Sequence, residues 1–454
     1  MSAPRTLPWP LVALFTAGYL APYLLPTTVG RLDSGLPLTA TEAGAIGSAL
    51  LLSSATAGFL LASRVDRIGP RTLARAGLAL AALGYGWAAL TGAVPAVVAG
   101  AVVGGLGSGT VTAVAASGIA ALGVPPARTE PGARAWDPHR VTTLGLLGVS
   151  ALAGALYLTI PRLGPGHGFP PAAIALTALA VWPLTGRLPG RTAPARTAVT
   201  HGRLPHLGAG LLLAAAMPFW SLAQNSLWGV SGRIGLDQAR LSEVAVGAVF
   251  AVALGAALVG VVGAGALGQR LGQAVPIGAG TTLIAGCIAL SASARDLTAF
   301  AAGEISWNLL YPIVLSYVIG LAASLDPRGR WAVLVGSASS LGTAAGPLTG
   351  SVLAAGTGFP VMGRVLGTGL LLIAVPMTAV ALRAGRRPRT VAGLPVVEIP
   401  VPEAPVAELR GPDITFEELR GTSVPVAGLP VVEVPVETPV VPAQRAYDTA
   451  SPNS

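Results

Sequence analysis

Twelve apolar runs, each close to the roughly 20 residues that cross a bilayer as a helix, alternate with short stretches holding nearly all the charge. They fall at 7–29, 41–63, 72–90, 95–123, 141–160, 169–186, 207–231, 241–267, 274–294, 297–324, 331–355 and 360–383. The sharpest interruption is the turn after the second run, GFLLASRVDRIGPR at 58–71, where Arg64, Asp66, Arg67 and Arg71 crowd around Gly69-Pro70. Charges this dense cannot lie in hydrocarbon, so the turn belongs at a water interface between two spans. A stretch of Arg, Pro, Thr and Gly at 187–206 lacks apolar periodicity and divides the runs six and six. The first run has one arginine before it and no small-residue cleavage site after it, so it is read as a retained helix rather than a signal.

Charged residues make up 10% of the chain, against roughly a quarter in soluble domains, which fits an all-α membrane protein. All 28 basic residues are arginine. Up to Arg389, nineteen arginines fall in alternate loops on one side and six on the other, which predicts both termini in the cytoplasm. The net charge of +9 does not point to nucleic acid, because no helix carries a basic stripe with interleaved aromatics. Cys287 is the single cysteine and sits in an apolar run, so neither a disulfide nor a cysteine-based metal site is possible. His139, His167, His201 and His206 lie in loops or at helix ends. With no paired intramembrane acid, no phosphate-binding glycine loop and no Gly-x-Ser-x-Gly, the sequence predicts no metal, no cofactor and no enzyme activity.

The spacing Asp66-Arg67-x-Gly69-x-Arg71 resembles the cytoplasmic loop between the second and third helices of the major facilitator superfamily, G-x-L-x-D-R-x-G-R-R, with Ala62, Arg64 and Pro70 as departures. A weaker copy, Gly265-Ala-Leu-Gly-Gln269-Arg270-Leu-Gly272, follows the eighth run, and Gly342-x-x-x-Gly346-Pro347-x-x-Gly350 in the eleventh falls opposite Gly145 and Gly154 in the fifth. Two landmarks at nearly one offset indicate duplicated halves in the same orientation. The resemblance covers 1–387 and implies the major facilitator fold: twelve transmembrane helices in two pseudo-symmetric six-helix bundles, 1–186 and 207–387, joined by a cytoplasmic linker at 187–206. It also implies that helices 1, 4, 7 and 10 line a central cavity, and that Asp66, Arg67 and Arg71, with Gln269 and Arg270, form a conformational latch. A turn whose arginines only fix topology is the alternative. The exporter pattern Gly-Pro is missing from the fifth run, and Ala101 stands where many proton-coupled members place an arginine, so direction of transport is open. LWGVSGRIG (227–235) and DPRGRWAVLVGSASS (326–340) look similar to bacterial members, implying the bacterial cytoplasmic membrane.

Chemistry-bearing residues sort by helical geometry. Glu304, Asn308 and Tyr311 are spaced i, i+4, i+7 and share one face of the tenth run, with Glu304 the only acid well inside any span. A carboxyl there binds a proton or a cationic group of a solute, or else anchors helices by hydrogen bonds. Trp220, Gln224 and Trp228 line up at i, i+4, i+8 in the seventh run beside Asn225, a set suited to stacking an organic solute and bonding it once. Tyr19 and Tyr23, with Thr16 and Thr27 near the same face, complete the candidate pocket from the first run; ordinary helix packing is the alternative for each. Gly100, Gly104, Gly105 and Gly109, and Gly342, Gly346 and Gly350, form small-residue stripes for close helix approach.

The last segment, 388–454, is rich in Pro, Val and Glu and repeats VAGLPVVEIPV (391–401) as VAGLPVVEVPV (426–436). Such composition predicts a disordered cytoplasmic tail, or a docking segment for a cytosolic partner. The expectation is a monomeric secondary transporter of a small organic solute, embedded in membrane lipid and working by alternating access. Proton coupling through Glu304 and uniport both fit, and the other class is a membrane solute sensor signalling through the tail.

Overall fold

The computed structural model describes residues 8–122, 137–189, 204–267, 271–326 and 328–385, and these are helical without a strand. The calls on the tail, on Gln269 and Arg270 and on most of the linker therefore lie outside the described residues. In chain order the first half holds α1 (Trp9–Tyr23), α2 (Leu25–Gly35), α3 (Ala40–Ala62), the single turn α4 (Val65–Ile68), α5 (Pro70–Leu90), α6 (Val94–Leu122), α7 (Pro138–Leu163) and α8 (Phe169–Val181). The second holds α9 (Leu207–Arg233), α10 (Glu243–Leu267), α11 (Ala274–Ala292), α12 (Leu297–Leu325), α13 (Arg330–Thr357) and α14 (Phe359–Gly385). A 3₁₀ turn extends α8 to Arg187, and a π turn extends α9 to Gln238.

Helix starts follow their sequence signals. Thr39 and Glu42 form a reciprocal capping box on α3, and the Asp296 carboxylate accepts the Ala299 amide at 2.9 Å to start α12. Gly69, at φ 103°, lets the chain turn out of α4 into α5, and Gly358, at φ 80°, separates α13 from α14.

Ten helices are long and apolar enough to cross a membrane, and the pair α1/α2, bent by 46°, makes an eleventh among the described residues. This is a multi-pass membrane protein. The difference from the twelve expected lies in α13, which has 28 residues but is diluted by Ser337, Ser339, Ser340, Thr343, Thr349 and Ser351 among its glycines. The first span also differs from the single straight run expected. Pro26 has no N–H to offer the Pro22 carbonyl one turn earlier, so the ladder breaks at Leu24. Helix then resumes at a new angle and carries Arg31 and Asp33 within α2, not in a loop.

Packing repeats between the halves. In the first, α3 and α5 pack on α6, α5 on α8, and α1 on α7; in the second, α10 and α11 pack on α12, α11 on α14, and α9 on α13. Between halves, α3 meets α13 and α10 meets α7, the same relation exchanged. The glycine stripes lie at these seams: a methyl added to Gly109 would overlap the Ser54 carbonyl of α3, and one on Gly342 or Gly350 would overlap backbone of α9. Outward, Phe59, Leu83, Trp87, Phe219, Val333 and Leu372 are exposed, as suits a lipid-facing surface.

Candidate functional site

The break in the first span frees backbone acceptors in the middle of the bundle, and aromatic side chains take them up. Trp228 Nε1, on α9, donates to the Pro22 carbonyl at 3.1 Å, and the Tyr157 hydroxyl, on α7, donates to the Tyr23 carbonyl at 2.6 Å. One donor comes from each half. A buried carbonyl left unpaired costs about 1–3 kcal/mol, so these two bonds help hold the bent geometry.

From that point a ladder of rings runs across the molecule. Tyr157 lies 5.0 Å from Phe250, Phe250 5.3 Å from Trp228, and Trp228 5.6 Å from Trp307. Tyr311 closes it, 6.0 Å from Trp307 and stacked on Trp220 at 5.4 Å with planes 20° apart. Tyr19 stacks on Phe15 at 4.5 Å. Candidates of the seventh and tenth spans thus meet through Trp220 and Tyr311, and the first span joins them through the bond of Trp228 to the Pro22 carbonyl.

The amides are largely committed to neighbours. Gln224 is fully buried; its Nε2 donates to the Trp220 carbonyl at 3.1 Å and its Oε1 accepts Trp307 Nε1 at 3.2 Å. Asn225 Nδ2 donates to the Ser221 carbonyl at 2.8 Å and to the Thr343 hydroxyl at 3.3 Å, and Asn308 Nδ2 to the Glu304 carbonyl at 2.9 Å. Trp220 is likewise buried, with Nε1 on the Thr281 hydroxyl at 3.3 Å. These groups set the positions of rings, while Tyr19, Tyr23, Tyr311 and Asn225 keep partial exposure and can meet a solute.

Glu304 is fully buried at the junction of α9, α11 and α12. Its Oε1 accepts the Ser231 hydroxyl at 2.7 Å and the Ser291 hydroxyl at 2.6 Å, whereas Oε2 has no partner. It does share a face with Asn308 and Tyr311, but hydroxyls from neighbouring helices surround its carboxyl.

The Asp66 turn is organised within one half. Arg71 donates through Nε to the Leu188 carbonyl at 3.0 Å and through Nη2 to the Gly186 carbonyl at 2.7 Å, and Arg75 Nε reaches the Thr185 hydroxyl at 3.1 Å. Arg71 thereby ties the start of α5 to the end of the sixth span. Asp66 and Arg67 are exposed on α4 and form no ion pair among the described residues.

Sequence reasoning passed over several members of the site. Trp307 is four residues before Tyr311, a spacing that could have found it. Tyr157 and Phe250 are isolated rings in apolar runs, and no local signal marks them. At the opposite end of the bundle from Asp66, Arg31 and Asp33 lie on α2, where no local signal marks their partners. Arg31 Nη2 pairs with Glu243 Oε2 at 2.7 Å, and Arg233 Nε with Asp33 Oδ2 at 3.1 Å, both across the halves.

The fold and the site define a helical multi-pass membrane protein whose helix pairings repeat between its halves, with aromatic and amide side chains where they meet. Three transporters are among the solved structures that share this fold. They include the human organic anion transporter MFSD10 (TETRAN), 16% identical, covering 81% of this chain and 97% of that one with a TM-score of 0.58. An auto-inhibited POT family peptide transporter is 14% identical over 85% and 98% of the two chains, TM-score 0.64, and a D-xylose-proton symporter 16% identical over 81% and 95%, TM-score 0.62. Identities this low establish the shared fold. No protein-family model matches the sequence, and no curated protein does.

Proposed function

We propose that the chain is a secondary active transporter of the major facilitator superfamily, carrying a small organic solute across a bacterial cytoplasmic membrane by alternating access. In this reading α13 completes twelve crossings, both termini are cytoplasmic, and the Asp66 end faces the cytoplasm as the arginine distribution requires. The observation that carries the proposal is the ring ladder between the halves, with Trp220 stacked on Tyr311 and Trp228 bonded to the Pro22 carbonyl, where the first span is broken. Broken helices and midplane sites between repeats are the parts from which secondary transporters are built.

The rings favour a solute with a flat apolar surface, and the partly exposed hydroxyls and Asn225 supply hydrogen bonds at its edge. The described arginines lie at helix ends, so an anion finds no counter-charge in the centre. Glu304 is the coupling group: a buried carboxyl held by two hydroxyls, with one oxygen unpartnered, takes up and releases a proton as the halves move.

Reconstitution in liposomes tests this. A screen of aromatic solutes is expected to find one whose flux rises with an imposed pH gradient. Glu304→Gln keeps an oxygen for Ser231 and Ser291 and is expected to leave a flux that ignores the gradient. A Glu304→Gln flux with the parent's rate and gradient dependence would remove Glu304 from the mechanism, and no flux of any solute would count against transport itself.

A further inference from the structure

The fifth and sixth spans stand apart where they face the lipid. The link between α7 and α8, Gly164-Pro-Gly-His-Gly168, is tied to other parts of its half. Arg31 donates to the Gly164 carbonyl at 2.5 Å and the Gly166 carbonyl at 3.0 Å, and His167 Nε2 donates to the Thr91 carbonyl at 3.0 Å. From there α8 packs on α5 and α1 and scarcely touches α7. The gap is an open groove of about 380 Å³, with Leu156, Thr159 and Leu163 on one wall and Phe169, Leu176 and Ala180 on the other. Pockets of roughly 300–1,000 Å³ are large enough to take a small-molecule ligand. Because the link is pinned on both sides, the walls are held open in advance of any occupant.

The chemistry of the groove points to a chain of hydrocarbon with a charged end. Its two hydroxyls are spent on their own helices, Thr159 on the Ala155 carbonyl at 2.9 Å and Thr177 on the Ala173 carbonyl at 2.8 Å. An occupant therefore meets apolar walls. From Phe169 to Ala180 the wall runs about 16 Å at 1.5 Å per residue, close to half of a hydrocarbon core about 30 Å thick. That is the depth of one leaflet. At the mouth, Arg162 lies three residues after Thr159 and next to Leu163, so it shares the rim. Its side chain is exposed, donates one bond back to the Leu158 carbonyl, and forms no ion pair among the described residues. We infer that the α7–α8 groove binds one anionic phospholipid, with an acyl chain along Phe169–Ala180 and the phosphate on Arg162. A planar guanidinium with several donors suits a phosphate, and basic residues beside helix grooves select anionic headgroups. The site requires only a protein embedded in lipid, so it stands apart from the transport reading.

The experiment is native mass spectrometry of the full-length protein in detergent, titrated with dioleoyl phosphatidylglycerol or with dioleoyl phosphatidylcholine. The parent is expected to hold one phosphatidylglycerol about fivefold or more tighter than phosphatidylcholine. Arg162→Gln is expected to remove that preference while leaving phosphatidylcholine binding as it was. Thr159→Trp fills the groove from an exposed position and is expected to weaken both lipids. Parent-like phosphatidylglycerol binding in Arg162→Gln or in Thr159→Trp, with unchanged melting profiles, would overturn the site. Equal affinity of the parent for the two lipids would overturn it as well. A dimer that Thr159→Trp breaks would give the groove to a second copy of the chain and overturn the lipid assignment. No flux is measured, so failure here leaves the transporter proposal standing, and absence of flux leaves the lipid site standing.

Discussion

Tyr311 shows what single residues contribute. Its ring stacks on Trp220 and lies against Trp307, while part of it stays exposed. Tyr311→Ala is expected to raise the solute concentration for half-maximal flux about tenfold, about 1.4 kcal/mol, whereas Tyr311→Phe keeps the stack and changes it little. Concentration dependence of flux in liposomes checks both. Trp228 has a structural duty instead, because Pro26 leaves the Pro22 carbonyl without a helical donor and the indole supplies one. Trp228→Phe keeps the ring contacts but loses that bond, so stability is expected to fall by about 1 kcal/mol, read as a lower unfolding midpoint in detergent. Tyr311 and Trp220 were legible in the sequence because helical spacing puts each beside another polar or aromatic group. Tyr157 and Phe250 were not, because their significance comes from neighbours on other helices. The same holds for Arg31, whose partner Glu243 is 212 residues away.

Elements follow from sequence more directly. Apolar runs ended by charged turns give the helices, and small-residue stripes give their seams. Gly109 on α6 faces the Ser54 carbonyl on α3 so closely that no Cβ fits. Gly109→Val is expected to cost about 1–3 kcal/mol through forced separation of those helices, seen as lower yield and an earlier thermal transition. What the run pattern concealed was the break in the first span. Pro22 and Pro26 were visible, but apolar residues continue through both, so hydropathy alone draws one straight helix. The turn from α12 to α13 carries a pH signature. Arg330 Nε, 2.6 Å from Asp326, and the Arg328 amide, at 3.1 Å, hold the Asp326 carboxyl below its ordinary value of 3.8. A lowered value stabilises the fold above the ordinary one, and that contribution is lost as pH falls through the lowered value. Asp326→Asn is therefore expected to melt earlier than the parent at neutral pH, with the gap closing in strongly acidic buffer.

For the whole molecule, the pairings of α3 with α13 and α10 with α7 relate the two halves symmetrically, with the ion pairs Arg31–Glu243 and Arg233–Asp33 at one end. The alternating access proposed above requires the Asp66 end to close as the Arg31 end opens. Spin labels report this directly in the Cys287→Ala background. One pair, Ser34→Cys with Leu297→Cys, spans the halves at the Arg31 end, and another, Arg64→Cys with Leu271→Cys, spans them at the Asp66 end; all four positions are exposed. Distance distributions measured across pH, with and without a transported solute, are predicted to show two populations that exchange in opposite directions at the two ends. A single fixed distribution at both ends, or distances that lengthen and shorten together, would contradict the account.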